Sequence, residues 1–422
     1  MKPRRVLRIV IAALLLGRTT MTLSAGMYPA ALPPAADIET IIGSSPLVAE
    51  AAAGVQLGDA LKRRRRVGTH EWTVRATTQE RRDQTTQQTY TEAQVSLERG
   101  FRIPGKASVD AALGQQAVMV AEFAHADAWH EAGRSLMAAW FDWLRERASV
   151  TVLDGQVQIL AHHRDAVQRR VTAGDAPAIE GQLAEGELNR VRALHLGAQQ
   201  RAEARELDLK EWFPALTLRA PDRRDTPPAL DETEAVWHER IVADNHELEL
   251  AENQQREAEL LAQRARLDRL PDPIVGVHYG QERDRQEKIL GISVAMPFGG
   301  SGRRADYAAA LARATMATER TRQIRLKVAG DANRALSAVR LSRSRWEQLS
   351  RLSEQMQATA TTMRRGYELG ELDLAQTLNA QRQALEATLS GQQAELDAIE
   401  AYARLRLDAH EIWALEHDHP GE

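Results

Sequence analysis

A seven-residue apolar period that runs for roughly 65 residues, and does so twice, constrains this chain more than any other feature. From about residue 106 to 172, Leu136, Trp143, Val150, Val157 and Val171 fall on one row of sevens, with Arg164 interrupting it. Leu153, Leu160 and Val167 fill the complementary row. From about 303 to 368, Trp346, Leu349, Met356, Ala360, Met363 and Tyr367 alternate in threes and fours, with Ser353 interrupting. These rows are the a and d seams of a coiled coil. At 1.5 Å per residue such a helix is ~100 Å long, against a usual length of about 11–12 residues. No compact globule has room for it. The seams themselves are structural, so function is sought where the helices begin and end.

The two long stretches belong to one duplicated unit. Residues 93–97 and 290–294 share alternating apolar residues, Phe101 matches Phe298, and Gly105-Lys106 matches Gly302-Arg303, all at an offset of 197. Further on, Arg169 matches Arg365, Gly174 matches Gly370 and Asp175 matches Glu371, at an offset of 196. Each unit predicts a helix (36–66; 231–268), two strands (71–79 and 90–100; 273–281 and 289–297), a very long helix, a Gly turn, and a return helix (177–213; 372–414). The first repeat is therefore 26–213, with a β-hairpin at 71–100 and a helical hairpin at 106–213. A proline-bearing linker follows at 214–230. The second repeat is 231–414, with a β-hairpin at 273–297 and a helical hairpin at 303–414, and residues 415–422 form a tail.

Each predicted strand has one apolar and one polar face. The apolar faces carry Trp72 and Val74; Ala93, Val95 and Leu97; Val275, Val277 and Tyr279; and Ile292, Val294 and Met296. Such alternation suits a barrel with lipid outside and water inside. It equally suits an ordinary antiparallel sheet on a core. Two observations favour the barrel: nothing else in the chain is set to cover these faces, and four strands cannot enclose water alone. Strands from several subunits would. The hairpin tips, about 80–89 and 282–288, are strongly polar, as water-exposed tips should be.

Composition narrows the classes. The chain has 422 residues, a formal charge of −4, 27% charged and only 5% aromatic residues. Lacking any cysteine, it is excluded from disulfide scaffolds, Fe–S clusters, thiolate zinc sites, Cys nucleophiles and a cysteine-borne lipid anchor. The near-neutral balance leaves no footprint for nucleic acid. No apolar run reaches the roughly 18 residues of a membrane-spanning helix. Lys2, Arg4, Arg5 and Arg8 precede the apolar stretch 9–16, and Leu23-Ser24-Ala25 follows. Residues 1–25 read as a secretory signal peptide. No phosphate loop, nucleophile elbow or zinc-protease pattern is found, so neither an enzyme nor a cofactor is expected.

With the repeat, the hairpins and the Gly turns in place, the chain resembles the TolC-like family of outer-membrane efflux channels. The matching pieces are residues 270–277 (LPDPIVGV) entering a strand and 292–298 (ISVAMPF) leaving one. Residues 170–175 (RVTAGD) and 365–374 (RGYELGELDL), the latter followed by 378–382 (LNAQR), resemble the family's two helical-hairpin tips. Length and tips look most like the CzcC-like heavy-metal branch. The resemblance implies a mainly α protein with a small β part, trimerising into a 12-stranded β-barrel and an α-helical periplasmic tunnel. It implies a homotrimer in outer-membrane lipid, docked to a periplasmic adaptor and an inner-membrane RND-type pump. Function would be conduction, exporting heavy-metal cations or other small toxic compounds. Drug efflux and type I protein secretion are alternatives within the class, and a soluble periplasmic coiled-coil adaptor or scaffold is one outside it.

The candidate functional residues lie at the helix ends. Gly174 and Gly370 reverse the chain and call for positive φ. Asp175, Glu371 and Asp373 either cap helices or, repeated threefold, ring the periplasmic mouth with negative charge. Arg169, Arg170 and Arg365 lie within a turn of them and would pair with them to hold a closed mouth. Tyr367 sits on the seam, where packing is expected more than gating. Lys62, Arg63, Arg64, Arg65 and Arg66 precede the first strand and would lie near lipid phosphates. His125 with His130 and His162-His163 are not spaced to chelate from one helix face, and His417 with His419 falls in the expected C-terminal tail, so no metal site is expected.

Overall fold

In the computed structural model the described residues are 30–221 and 226–415. The expected signal peptide, His417 and His419 lie outside them. Two helices of 68 residues dominate: α3 (Lys106–Ala173) and α7 (Ser301–Glu368). Each is ~100 Å long. The return helices α4 (Ala178–Trp212) and α8 (Leu374–Asp408) have 35 residues each and cover only the far halves of α3 and α7.

The near halves are covered by the helices that open each repeat. Each of these was expected as one helix and is two: α1 (Ala35–Gly43) with α2 (Pro46–Val67), and α5 (Glu234–Ala243) with α6 (His246–Asp268). Pro46 explains the first break. It has no N–H to donate, and it occupies the first turn of α2, where none is needed. At the second break the Asn245 side chain accepts from the Leu248 N–H at 3.0 Å and starts a new helix.

The seams close as their spacing predicts. Leu153, Leu160 and Val167 of α3 pack with Leu188 and Val191 of α4 and with Tyr367, Leu374 and Leu378. Both interruptions have reasons. Arg164 reaches Glu185 on α4 at 2.8 Å. Ser353 lies where Gly391 of α8 approaches α7, so a larger residue would hold the helices apart. Midway along α3, Leu136, Trp140 and Phe141 are fully buried with Ile41, Ile42, Leu209 and Leu407.

The strands form one antiparallel sheet in the order β1 (Trp72–Arg82), β2 (Thr89–Gly100), β3 (Ile274–Glu282), β4 (Glu287–Ala295). β2 and β3 come from different repeats and join at the centre. β1 and β4 are edges with no further partner among the described residues. β1 runs past its expected end because the tip is tight: Asp83 Oδ1 accepts the N–H groups of Thr85 (2.8 Å) and Thr86 (3.3 Å). β4 stops sooner than expected. Pro297 restricts the residue before it, and Met296 falls outside the strand rather than in it.

Candidate functional site

Register turns the four alternating patterns into one continuous belt. Val74, Leu97, Val277 and Ile292 lie side by side across the sheet. Above them run Ala76, Val95, Tyr279 and Leu290, and below them Trp72, Arg99, Val275 and Val294. Among the described residues no helix covers this face: Leu290 is 82% and Ile292 78% exposed. Ala93, expected in the belt, lies one row higher between Thr78 and Gln281, at the polar margin. A broad exposed apolar patch marks an interaction surface. Two unpaired edges beside it ask for further strands.

The opposite face is polar. Glu92 is buried there and accepts from Gln79 Nε2 at 2.9 Å and Arg81 Nη1 at 3.4 Å. His278 fills the space over Gly291, where a Cβ would come within 2.5 Å of the imidazole. That contact explains a glycine in the middle of a strand.

At the far end both helical tips adopt the same turn. Gly174 (φ +79) donates to the Val171 carbonyl, and Asp175 N–H donates to that of Arg170 at 2.8 Å. Gly370 (φ +78) donates to Tyr367 and Glu371 N–H to Gly366 at 2.9 Å. Both are Schellman motifs, which satisfy orphan carbonyls with a left-handed residue. Asp373 caps α8, its Oδ1 accepting from the Gln376 N–H at 2.7 Å.

The expected pairing of tip arginines with tip carboxylates does not occur within the chain. Among the described residues no ion pair joins Arg169, Arg170 or Arg365 to Asp175, Glu371 or Asp373. Arg170 reaches the Asp175 backbone carbonyl at 3.5 Å, and its guanidinium lies 5.2 Å from the centre of the Tyr367 ring. Asp373 is occupied as a cap, and Asp175 and Glu371 are left exposed. Tyr367 is buried in the seam, and its hydroxyl donates to Glu180 Oε2 at 2.7 Å. It ties the end of α7 to the start of α4, joining the two tips. Burial and Glu180 raise its pKa to about 12.

The basic run is divided at the end of α2. The Lys62 backbone lies against Gly114 of α3, and Arg65 faces Asp110 at 3.8 Å. Arg64 bonds the Gly68 carbonyl. Arg63 and Arg66 are exposed.

Two features were invisible in the sequence. Lys106, one of the repeat landmarks, is 1% exposed and lies between Asp268 and Asp272. The imidazoles of His130, His246 and His410 converge from three segments, with ring centres 4.4–6.2 Å apart. The sequence singles out only His130 of the three, beside His125 rather than these partners. His163 packs edge-on against Tyr367. Among the described residues no group of His, Asp and Glu is arranged to hold a metal ion. No helix among them is long and apolar enough to cross a membrane, which says nothing of a β-barrel.

No sequence-family profile matches the chain, and no curated protein sequence does. Solved structures do match. The CmeC outer membrane channel of Campylobacter jejuni aligns at TM-score 0.74 and 12% identity, over 88% of this chain and 84% of that one. The outer membrane protein VceC of Vibrio cholerae aligns at 0.72 and 14%, over 91% and 99%. The MtrE outer membrane channel of Neisseria gonorrhoeae, in its open state, aligns at 0.71 and 15%, over 89% of each. The chain has the fold of these outer-membrane channels over nearly its whole length.

Proposed function

We propose that the chain is one subunit of a homotrimeric outer-membrane exit duct. Three four-stranded sheets would close a 12-stranded barrel, and three sets of helical hairpins would continue it as a periplasmic tunnel. The observation that carries this reading is the uncovered apolar belt with a free strand edge on either side, standing at the end of ~100 Å helices. Lipid covers the belt, neighbouring subunits take the edges, and the polar face lines water. An adaptor would instead need a compact β domain with several more strands than this open sheet supplies.

The duct works with a periplasmic adaptor and an inner-membrane RND-type pump, and its mechanism is conduction rather than catalysis. The exposed Asp175 and Glu371 at the tips, repeated threefold, favour cations at the periplasmic mouth. That supports heavy-metal cations as cargo over anionic compounds. Purified protein should run as an SDS-resistant trimer and conduct in planar bilayers. Recovery in the soluble periplasmic fraction, without trimer or conductance, would sink the proposal. Deletion in the native host should sensitise it to divalent metals; sensitivity to drugs alone would reassign the cargo.

A further inference from the structure

We infer that the end of α2, together with the base of the sheet, binds the phosphates of anionic lipid headgroups in the leaflet facing the helices. The inference rests on the outer-membrane reading above and adds a ligand to it. Arg64 and Arg65 are accounted for by local contacts, one with the Gly68 carbonyl and one with Asp110. Arg63 and Arg66 are exposed and pair with no carboxylate among the described residues. Opposing the helix dipole needs cations only in the last turn, and Arg64 and Arg65 already supply them there.

The site is built rather than loose. Arg102, just beyond β2, donates from Nη1 to the Arg65 carbonyl at 3.1 Å and from Nη2 to the Arg66 carbonyl at 2.9 Å. The same guanidinium is held by Asp110 at 3.0 Å. Gly58 and Gly114 let α2 lie directly on α3: a Cβ at either would meet backbone at 3.0 Å. The helix end that carries the two free arginines is thereby fixed to the strand-to-helix junction.

That junction is also where the apolar belt ends. In the lowest row the Arg99 guanidinium stacks on Trp72, 5.2 Å from the ring centre. Below it Phe101 and Phe298 are exposed, Phe298 completely. Aromatic residues at the margin of an apolar belt mark the membrane–water interface of a β-barrel. Only the short segment from Val67 to Trp72 separates the helix end from this girdle, at most ~18 Å even if fully extended. Cations held there sit at headgroup depth, where each adds roughly a fivefold preference for an anionic surface.

The test uses the full chain in vesicles of phosphatidylcholine mixed with phosphatidylglycerol, extracted gently and analysed by native mass spectrometry. Wild type should retain phosphatidylglycerol over phosphatidylcholine. R63Q/R66Q should lose that preference by about 25-fold, while R63K/R66K keeps it. R320Q/R322Q, which removes two exposed charges about 30 Å along α7 from its sheet end, should also keep it. Equal enrichment in wild type and R63Q/R66Q would overturn the inference. So would a variant that keeps its lipid preference but loses binding to a periplasmic adaptor, which would make this a protein contact. Failure of wild type to enter any vesicle would overturn the outer-membrane reading itself, and this inference with it.

Discussion

The Lys106 ammonium lies 2.9 Å from the Asp272 carboxylate, although 166 positions separate them. The pair joins the first turn of α3 to the entry of β3, and so joins one repeat to the other. Lys106 Nζ also donates to the Leu270 carbonyl at 2.7 Å and faces Asp268 at 3.0 Å. Asp272 accepts the Ile103 N–H at 3.0 Å, and His70 Nε2 lies 2.9 Å from it. The second repeat clamps itself at the matching landmark, where Arg303 donates to the Asp268 carbonyl at 2.6 Å. Both strand-to-helix transitions are thus pinned by a cation at the same place in the unit.

Replacing Lys106 with methionine removes a fully buried charge and strands its partners. Breaking a buried pair from one side costs about 3–5 kcal/mol. K106M should lower the unfolding temperature of the detergent-purified protein accordingly. K106M/D272N should lose less than the sum of the two single variants, since each single variant strands the other's buried charge and the double variant does not. Additive losses would mean the two residues do not act as a pair.

The same carboxylates set the acid limit. Burial raises the Asp272 pKa, but the Ile103 N–H, Lys106 and His70 outweigh it and hold it below its ordinary value. Asp268 is lowered by Arg264 and Lys106 against its own burial, and Asp408 by His130 and Arg134. A depressed carboxylate contributes stability above its unfolded pKa of about 3.9 and loses it as pH falls through the folded value. Asp127 and Glu400, raised chiefly by burial, act in the opposite sense and are relieved first as pH falls. Stability should therefore hold or rise slightly on mild acidification and then fall steeply below about pH 4. D272N should flatten that fall; an unchanged acid limb would remove Asp272 from it.

How much of this was legible in the sequence depended on the period of each feature. The heptads placed both long helices almost to the residue, because a seam such as Leu153, Leu160 and Val167 repeats many times. Alternation placed all four strands, and the glycines placed both tips. Features that depend on meetings between distant segments were hidden. Lys106 looks like any helix-start lysine until Asp272 is brought to it. His130, His246 and His410 show no spacing at all, since each comes from a different segment. The expected tip ion pairs failed for the same reason. Sequence proximity put Arg170 beside Asp175, and folding gives it that residue's backbone carbonyl and the Tyr367 ring rather than the carboxylate.

Two kinds of glycine should respond differently to substitution. Gly174 has φ +79, and a Cβ there would meet nothing within 4 Å. G174A should therefore cost only the left-handed backbone penalty, about 1–2 kcal/mol. Gly114 is an ordinary helical glycine, but a Cβ there lies 3.0 Å from the Lys62 Cα. G114L must push α2 off α3 and should cost more, upward of about 3 kcal/mol. Thermal unfolding ranks them, and the reverse order would contradict the packing described.

Tyr367 offers a test of the tips. Y367F keeps the ring under Arg170 but deletes the bond to Glu180. A hydrogen bond to a charged group contributes about 1.5–3 kcal/mol, so the two tips should separate more easily. The expected readout is greater mean conductance or more frequent opening in planar bilayers, with the trimer intact. A trimer that conducts as wild type does would make Tyr367 a packing residue and nothing more.

The belt itself separates a membrane barrel from an exposed soluble sheet. Val277 occupies the middle apolar row on an interior strand and is half exposed in the isolated chain. On a water-facing sheet, V277R would be nearly neutral, within about 0.5 kcal/mol. On the lipid face of a barrel, arginine at mid-depth costs about 2–4 kcal/mol, and three subunits meet that cost together. V277R should accordingly abolish the SDS-resistant trimer and its membrane recovery. Gln94, two rows from the base on the polar face of β2, is the control: Q94R points into water and should assemble normally while altering single-channel conductance. If V277R assembles as well as Q94R, the apolar belt does not face lipid, because the two positions differ chiefly in which side of the wall they occupy.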